Sequence, residues 1–181
     1  MNTFSDPRKI VEQLNFLPGQ QIADIGSGSG AYTLAIAEKI NNNSESESRI
    51  FAVDIQQDLL NRLAQEANER NLTSVHIIWG DIEEGKGTRI RHESLDTVLL
   101  VNTLFQLEHR SQACVEAARI IKPGGRIIII DWSDSFGNIG PKSDHIVSMD
   151  TSKLLVEEAG LVFDTSFDAG EHHYGFIAIK K

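Results

Sequence analysis

The chain has 181 residues, enough for one domain with a real core and too few for two ordinary ones. Apolar residues make up 40% and charged residues 24%, a balance that excludes disordered and fibrous chains. The net charge of −9 sets the overall field against phosphate backbones and anionic membrane surfaces, so nucleic acid is a disfavoured partner.

Apolar runs as long as Ile127–Ile130 reach only four residues, against the roughly 18 of a membrane span. The opening Met1-Asn2-Thr3-Phe4-Ser5-Asp6-Pro7 carries no basic stretch followed by an apolar one, and the expectation is a cytoplasmic protein. A single cysteine, Cys114, sits at an apolar position of a helical pattern and reads as a buried thiol.

Ser5-Asp6-Pro7 starts a helix, with Ile10, Val11 and Leu14 as its apolar stripe, and Pro18-Gly19 ends that N-terminal segment (1–19). Everything from 20 to 181 is expected to form one core. Residues 21–25 predict a strand that runs into a glycine-rich turn, and 31–40 the helix that follows. Residues 41–48 are polar and predict a solvated loop. A second strand is expected at 49–54, then an amphipathic helix at 57–70 with Leu59, Leu60, Leu63, Ala64 and Ala67 inward. Strands follow at 75–79 and 95–101, separated by 83–93, which has no clean period.

Helix 111–121 places Cys114, Ala117, Ala118 and Ile121 on one face, with Pro123-Gly124-Gly125 as its stop. Four isoleucines in succession mark strand 126–131 as covered on both sides. Residues 132–149 predict a long loop or lid, 152–159 a last helix, and 161–168 with 173–180 a closing hairpin. Strands alternating with helices predict a doubly wound, Rossmann-like, mostly parallel sheet. The closing pair is too tightly connected for a parallel crossover, so it adds an antiparallel C-terminal element.

The chemistry concentrates at strand ends. Asp24-Ile25-Gly26-Ser27-Gly28-Ser29-Gly30 lies between the first strand and its helix, where glycines let a ligand approach the backbone and a helix N-terminus offers free N–H groups. Asp54 ends the second strand, placed to accept both hydroxyls of a ribose. Asp81 follows the third, in Gly80-Asp81-Ile82. The loop leaves other readings open. Gly26-Ser27-Gly28-Ser29-Gly30-Ala31 also satisfies the dinucleotide fingerprint of an NAD(P)-dependent oxidoreductase. The second alternative is a domain that binds a cofactor without catalysis. Against the oxidoreductase stand the acid at Asp24, an Asp81 with no task in a dinucleotide site, and the lack of a Tyr-x-x-x-Lys pair.

Together with Val53-Asp54-Ile55, Gly80-Asp81-Ile82, Leu95-Asp96-Thr97-Val98 and Ile121-Lys122-Pro123-Gly124-Gly125-Arg126, the loop resembles the successive motifs of class I S-adenosylmethionine-dependent methyltransferases, with Ile121 where a leucine is common. Within that family the motifs resemble those of the ubiquinone/menaquinone-biosynthesis methyltransferases. The resemblance spans roughly residues 20 to 181. It implies a seven-stranded sheet with an antiparallel last strand, S-adenosylmethionine as cofactor and a small-molecule methyl acceptor. It further implies that Gly26, Ser27, Gly28 and Gly30 pack against the cofactor and that Asp24 orients its amino group. Asp54 would take the ribose hydroxyls, Ile55 lie on the adenine, Asp81 and the Ile82 N–H meet the adenine edge, and Asn102 stand near the methionine end.

A general base is needed only where the nucleophile must lose a proton. Asp131, at a carboxyl strand end, and His172, His173 and Tyr174, in the final hairpin, are the candidates, with Asp131 the better placed. The six scattered histidines show no metal-ligand spacing, and no metal is expected. Neither an Asn/Asp-Pro-Pro-Tyr motif nor a Pro-Cys pair occurs, which marks down base and glutamine methylation and favours a small acceptor.

Overall fold

A computed structural model describes residues 5–40, 47–136 and 140–181. Its helices are α1 (Pro7–Gln13), α2 (Ala31–Ile40), α3 (Gln57–Glu69), α4 (Arg110–Ile120) and α5 (Met149–Glu158). Its strands are β1 (Gln21–Ile25), β2 (Arg49–Asp54), β3 (Val75–Trp79), β4 (Leu95–Val101), β5 (Ile121–Trp132), β6 (Leu161–Phe167) and β7 (His173–Lys180). They form one sheet in the order β3-β2-β1-β4-β5-β7-β6. β1 through β5 run parallel; β7 pairs antiparallel with β6, as the tight hairpin requires, and antiparallel also with β5.

The direction of winding reverses between β1 and β4. Their carboxyl ends are therefore the topological switch point, where open α/β sheets bind ligands. The glycine loop after β1 sits there.

Two apolar layers sandwich the sheet. α1, α2 and α3 cover one face, with Ile10, Val11, Leu14, Ile36, Ile40 and Leu63 meeting Ile22, Leu99, Ile128 and Ile130. α4 and α5 cover the other, with Cys114, Ala117 and Val156 meeting Val98, Leu100, Ile127 and Ile129. Strand alternation splits the four isoleucines two and two, which is why all four are fully buried. Cys114 is buried without a disulfide partner, and burial pushes its thiol up to about 12.

Several boundaries differ from expectation. β5 begins directly at the end of α4, and Pro123-Gly124-Gly125 lies inside the strand. Between Leu95↔Ile121 and Thr97↔Arg126, two steps on β4 face five on β5, so the proline–glycine turn bulges out of the ladder. β5 also runs one residue further, to Trp132. α5 starts at Met149, with Ser148 as its N-cap accepting from the Thr151 amide. In α3 only Leu60, Leu63 and Ala67 are buried; Leu59 is half-buried and Ala64 exposed.

Residues 82–93 form turns and no helix. Of the expected polar loop, residues 41–46 lie outside the described residues, and Ser48 is buried, with its Oγ accepting the Gly19 amide at 2.7 Å. The expected loop at 132–149 likewise includes 137–139, outside the described residues. Among the described residues no helix is long and apolar enough to cross a membrane, and no group of His, Cys, Asp or Glu is arranged to hold a metal.

Candidate functional site

The loop after β1 turns on glycines held at positive φ. Gly26 (φ +72°) packs so closely that a Cβ there would come within 2.6 Å of Thr103 Oγ1, and one on Gly30 (φ +83°) within 2.2 Å of Leu63 Cδ1. Gly28 (φ +53°) is different, because a Cβ there would meet nothing within 4 Å. Two of these glycines therefore serve the packing of the loop against the protein, and the third leaves its face open.

Asp54 braces the loop. It is 7% exposed; Oδ2 accepts the Gly28 amide at 2.8 Å and Oδ1 the Gln56 amide at 2.8 Å. Its carboxylate is thus held in place by backbone donors, with lone pairs left over for a ligand.

The loop separates two cavities that share Gly26 and Gly28. The first, about 220 Å³, is lined by the ends of β1, β2 and β3: Asp54, Ile55, Gly80, Asp81 and Ile82, closed by Thr103, Gln106 and Leu107 from beyond β4. Ile55 is 61% exposed and Ile82 buried, so the cavity has apolar walls, and three carboxylates, Asp54, Asp81 and Glu83, line it. Asp81 Oδ1 accepts the Glu83 amide at 2.8 Å. Trp79 Nε1 donates to the Ile55 carbonyl at 3.0 Å and carries the Arg89 guanidinium over its ring, which steadies the turn bearing Ile55.

The second cavity, about 400 Å³, lies on the α1/α2 side and is lined by Asp24, Ser27, Ser29, Tyr32, Asn102, Trp132 and His173, with Ser5 and Pro7 from the start of α1. Three of these residues carry a buried polar atom without a hydrogen-bond partner: Ser27 Oγ, Asn102 Oδ1 and His173 Nε2. Such atoms are costly unless a ligand or water satisfies them. Asn102 is held at φ +52°. Its backbone N–H donates to the Ile130 carbonyl at 2.8 Å, and its backbone carbonyl accepts Gln106 Nε2 at 2.7 Å.

Asp24 is 2% exposed, and its Oδ2 accepts Thr33 Oγ1 at 2.6 Å. Burial pushes its carboxyl up to about 6, against the lowering effect of the Thr33 hydroxyl and amide, and the nearby Asp54 charge adds to the rise.

The structure thus brings Asp24, Gly26, Ser27, Gly28, Asp54, Ile55, Asp81, Ile82 and Asn102 to the two cavities, while Gly30 supports them from behind. Asp131 and His172 line neither. Alternation along β5 turns Asp131 toward the α4/α5 face, with Ile127 and Ile129, and turns Trp132 toward the cavity, with Ile128 and Ile130. Asp131 is 1% exposed; Oδ1 accepts the Trp132 amide, and burial raises its carboxyl to about 6 although the Leu104 and Phe105 amides and Arg110 oppose the rise. His172 turns outward at φ +65°, paired through Nδ1 with Asp134 at 2.7 Å and stacked on Phe136.

Trp132, Tyr32, Thr103 and Gln106 were not singled out as site residues by sequence reasoning. The alternation rule applied to a strand ending one residue later points to Trp132; nothing in the local sequence points to Tyr32 or Gln106.

Comparison with known proteins agrees with this architecture. Residues 23–129 match the model of a family described as a methyltransferase domain. The 2-methoxy-6-polyprenyl-1,4-benzoquinol methylase of Oryza sativa subsp. japonica is 25% identical over 136 residues, covering 69% of this chain and 46% of that protein. The ubiquinone/menaquinone biosynthesis C-methyltransferase of Cupriavidus metallidurans is 26% identical over 123 residues, covering 68% and 47%. The chain spans about half the length of these curated relatives. Among solved structures, a SAM-dependent methyltransferase from Aquifex aeolicus superposes with a TM-score of 0.86 at 21% identity, covering 99% of this chain and 92% of that one. The fold is shared also by the [4+2]-cyclase SpnF, at a TM-score of 0.78 and 15% identity over 96% of this chain and 80% of that one, so fold alone does not name a reaction. With the family model covering more than half of its residues, the chain belongs to the methyltransferase-domain family.

Proposed function

We propose that the chain is an S-adenosylmethionine-dependent methyltransferase acting on a small-molecule acceptor. The observation that carries this reading is the pair of carboxylates, Asp54 and Asp81, on the rim of one apolar-walled cavity next to an open Gly28. A ribose acid and an adenine acid on consecutive strand ends suit an adenosine. Gly26 and Gly28 border both cavities, so a ligand seated in the first reaches the second across them.

The residues present fit the cofactor. Gly28 leaves space where a side chain would intrude, and Ser27 Oγ and Asn102 Oδ1 are buried polar atoms lacking partners where the methionine end belongs. Asp24, buried beside them, is placed to take an ammonium group, whose charge would draw its carboxyl back to the ionised form.

When bound, the cofactor supplies a methyl group on a sulfonium, transferred by in-line displacement. The chain's own task is to hold both reactants in line and keep the acceptor dry. The quinol methylases among the relatives make ring-bearing acceptors the first class to assay. The net charge of −9 supports a small acceptor over nucleic acid.

Calorimetric titration with S-adenosylmethionine tests the reading. Binding is expected for the wild type, with at least about tenfold weaker affinity in Asp54→Ala, the loss of hydrogen bonds to a charged group. Binding of NAD in its place, or unchanged affinity in the variant, would overturn it.

A further inference from the structure

The larger cavity has a part that the cofactor reading leaves unused. Asp24, Ser27 and Asn102 belong to the loop end; Tyr32, Trp132, His173 and Pro7 form the remaining wall. Trp132 and His173 are direct cross-strand partners on β5 and β7, so their side chains leave the same face of the sheet, and their rings lie 4.3 Å apart, centre to centre. His173 Nδ1 lies 3.1 Å from the Glu171 carbonyl. A carbonyl can only accept, so Nδ1 carries the hydrogen and Nε2 keeps its lone pair. That Nε2 is buried and has no partner.

We propose that the Trp132–His173 end of this cavity seats the methyl acceptor, a planar ring bearing a phenolic or enolic hydroxyl, and that His173 Nε2 accepts the hydrogen of that hydroxyl. The proposal rests on the cofactor reading above. The aromatic walls suit a flat ring, and the unpartnered Nε2 is complementary to an O–H donor.

Neutral imidazole is the form that can do this. Burial lowers the His173 pKa below its usual 6.5; His172 lowers it further, while the Glu171 carbonyl and the Asp134 carboxylate act the other way. Trp132, facing it from β5, does not titrate.

An aliphatic ammonium suits the site less well, because its nitrogen has no lone pair until a proton has left. A hydroxyl can lose its proton as it attacks. In the step, the O–H bond breaks and its proton passes to Nε2. The electron pair left on the acceptor forms the new bond to the methyl carbon, and the C–S pair returns to sulfur as a neutral thioether. The imidazolium then releases its proton to water.

The test uses the full chain with 15N-labelled histidine, saturated with S-adenosylhomocysteine and titrated with catechol as the phenolic probe. The free protein should show His173 as the Nδ1–H tautomer, and catechol should shift its Nε2 resonance. Catechol affinity should fall about five- to tenfold in His173→Ala, the value of one hydrogen bond, and less in His173→Gln, whose amide oxygen can still accept. S-adenosylhomocysteine affinity should stay within about twofold of wild type in both variants, which also shows that they fold. A Nε2 resonance unmoved by catechol, or equal catechol affinity in wild type and His173→Ala, overturns the proposal. Failure of the wild type to bind S-adenosylhomocysteine would instead strike the cofactor reading itself, and this proposal with it.

Discussion

Glycines that look alike in a motif do different work, and Gly28 and Gly30 are the clearest pair. Both have positive φ, but only Gly30 would drive a methyl group into a neighbour, Leu63, a fully buried residue of α3. Gly30→Ala is expected to lower stability by roughly 2–4 kcal/mol, the sum of backbone strain and overpacking. Gly28→Ala carries only the left-handed backbone cost of about 1–2 kcal/mol, yet it places a methyl group in the space between the two cavities. Thermal melts should separate the two variants in that order, while S-adenosylmethionine titration should show the larger loss of affinity in Gly28→Ala. Equal melting temperatures would mean that Leu63 yields to the intruding methyl group. The residue scale is also where sequence reading fell short. Asp54, at the end of β2, and Asp81, two residues past β3, are legible because the direction of those strands is unambiguous. The histidine pair is not, since which of His172 and His173 faces the cavity depends on the antiparallel register with β5, a contact between residues about 40 apart in sequence.

At the scale of elements, the strands and helices with strong periodicity were legible nearly to the residue: β1, α2, β2, β3 and β4 lie where the apolar pattern puts them. β5 was not, for a physical reason. A Pro-Gly-Gly run normally stops one element before another starts, but here Leu95↔Ile121 pairing begins ahead of it and the run bulges out of the ladder. Just beyond the bulge stands Arg126, which ties the sheet to the N-terminal segment. Its Nη2 donates to the Leu14 carbonyl at 2.7 Å, its Nε to Thr97 Oγ1 at 3.2 Å, and its guanidinium covers Phe16. Leu14 is the C-cap of α1, so this bond satisfies one of the carbonyls left over at a helix end. The opposite end of α1 supplies Ser5 and Pro7 to the larger cavity, with the Ser5 hydroxyl hydrogen-bonded to Tyr32. Arg126→Leu should therefore lower stability by about 1–3 kcal/mol and speed amide hydrogen exchange in α1 more than in β1 or β4. Uniform acceleration across the sheet would show that α1 is held by its apolar stripe alone.

Across the whole molecule, the excess of acidic groups and the burial of several of them, Asp131 and Asp24 among these, make stability a function of pH. Asp131 and Asp24 each have a carboxyl raised from 3.8 to about 6, chiefly by burial. A carboxyl raised on folding favours the folded state in its protonated form, so this stabilisation is fully present below about pH 4 and is lost as pH rises through about 6. Other groups pull the other way. Burial would raise the pKa of Glu116, yet hydrogen bonds from Arg119 and Thr88 hold it below the usual carboxylate range, so its contribution is lost as pH falls. His76 and His173, both lowered by burial, also destabilise the fold as they charge in acid. The net curve mixes these effects, and a difference between two proteins isolates one of them. Asp131→Asn keeps the shape and removes the ionisation beneath the turn Leu104–Gln106, whose far side lines the first cavity. At pH 8 the variant should be more stable than wild type by on the order of 2 kcal/mol, or roughly 4–8 °C in melting temperature for a chain of this size. The gap should close toward pH 4, where the wild-type carboxyl is already neutral. A gap independent of pH would mean that Asp131 does not titrate differently in the folded chain. A variant less stable at pH 8 would mean that the Leu104 and Phe105 amides and Arg110 hold the charged form more firmly than burial opposes it.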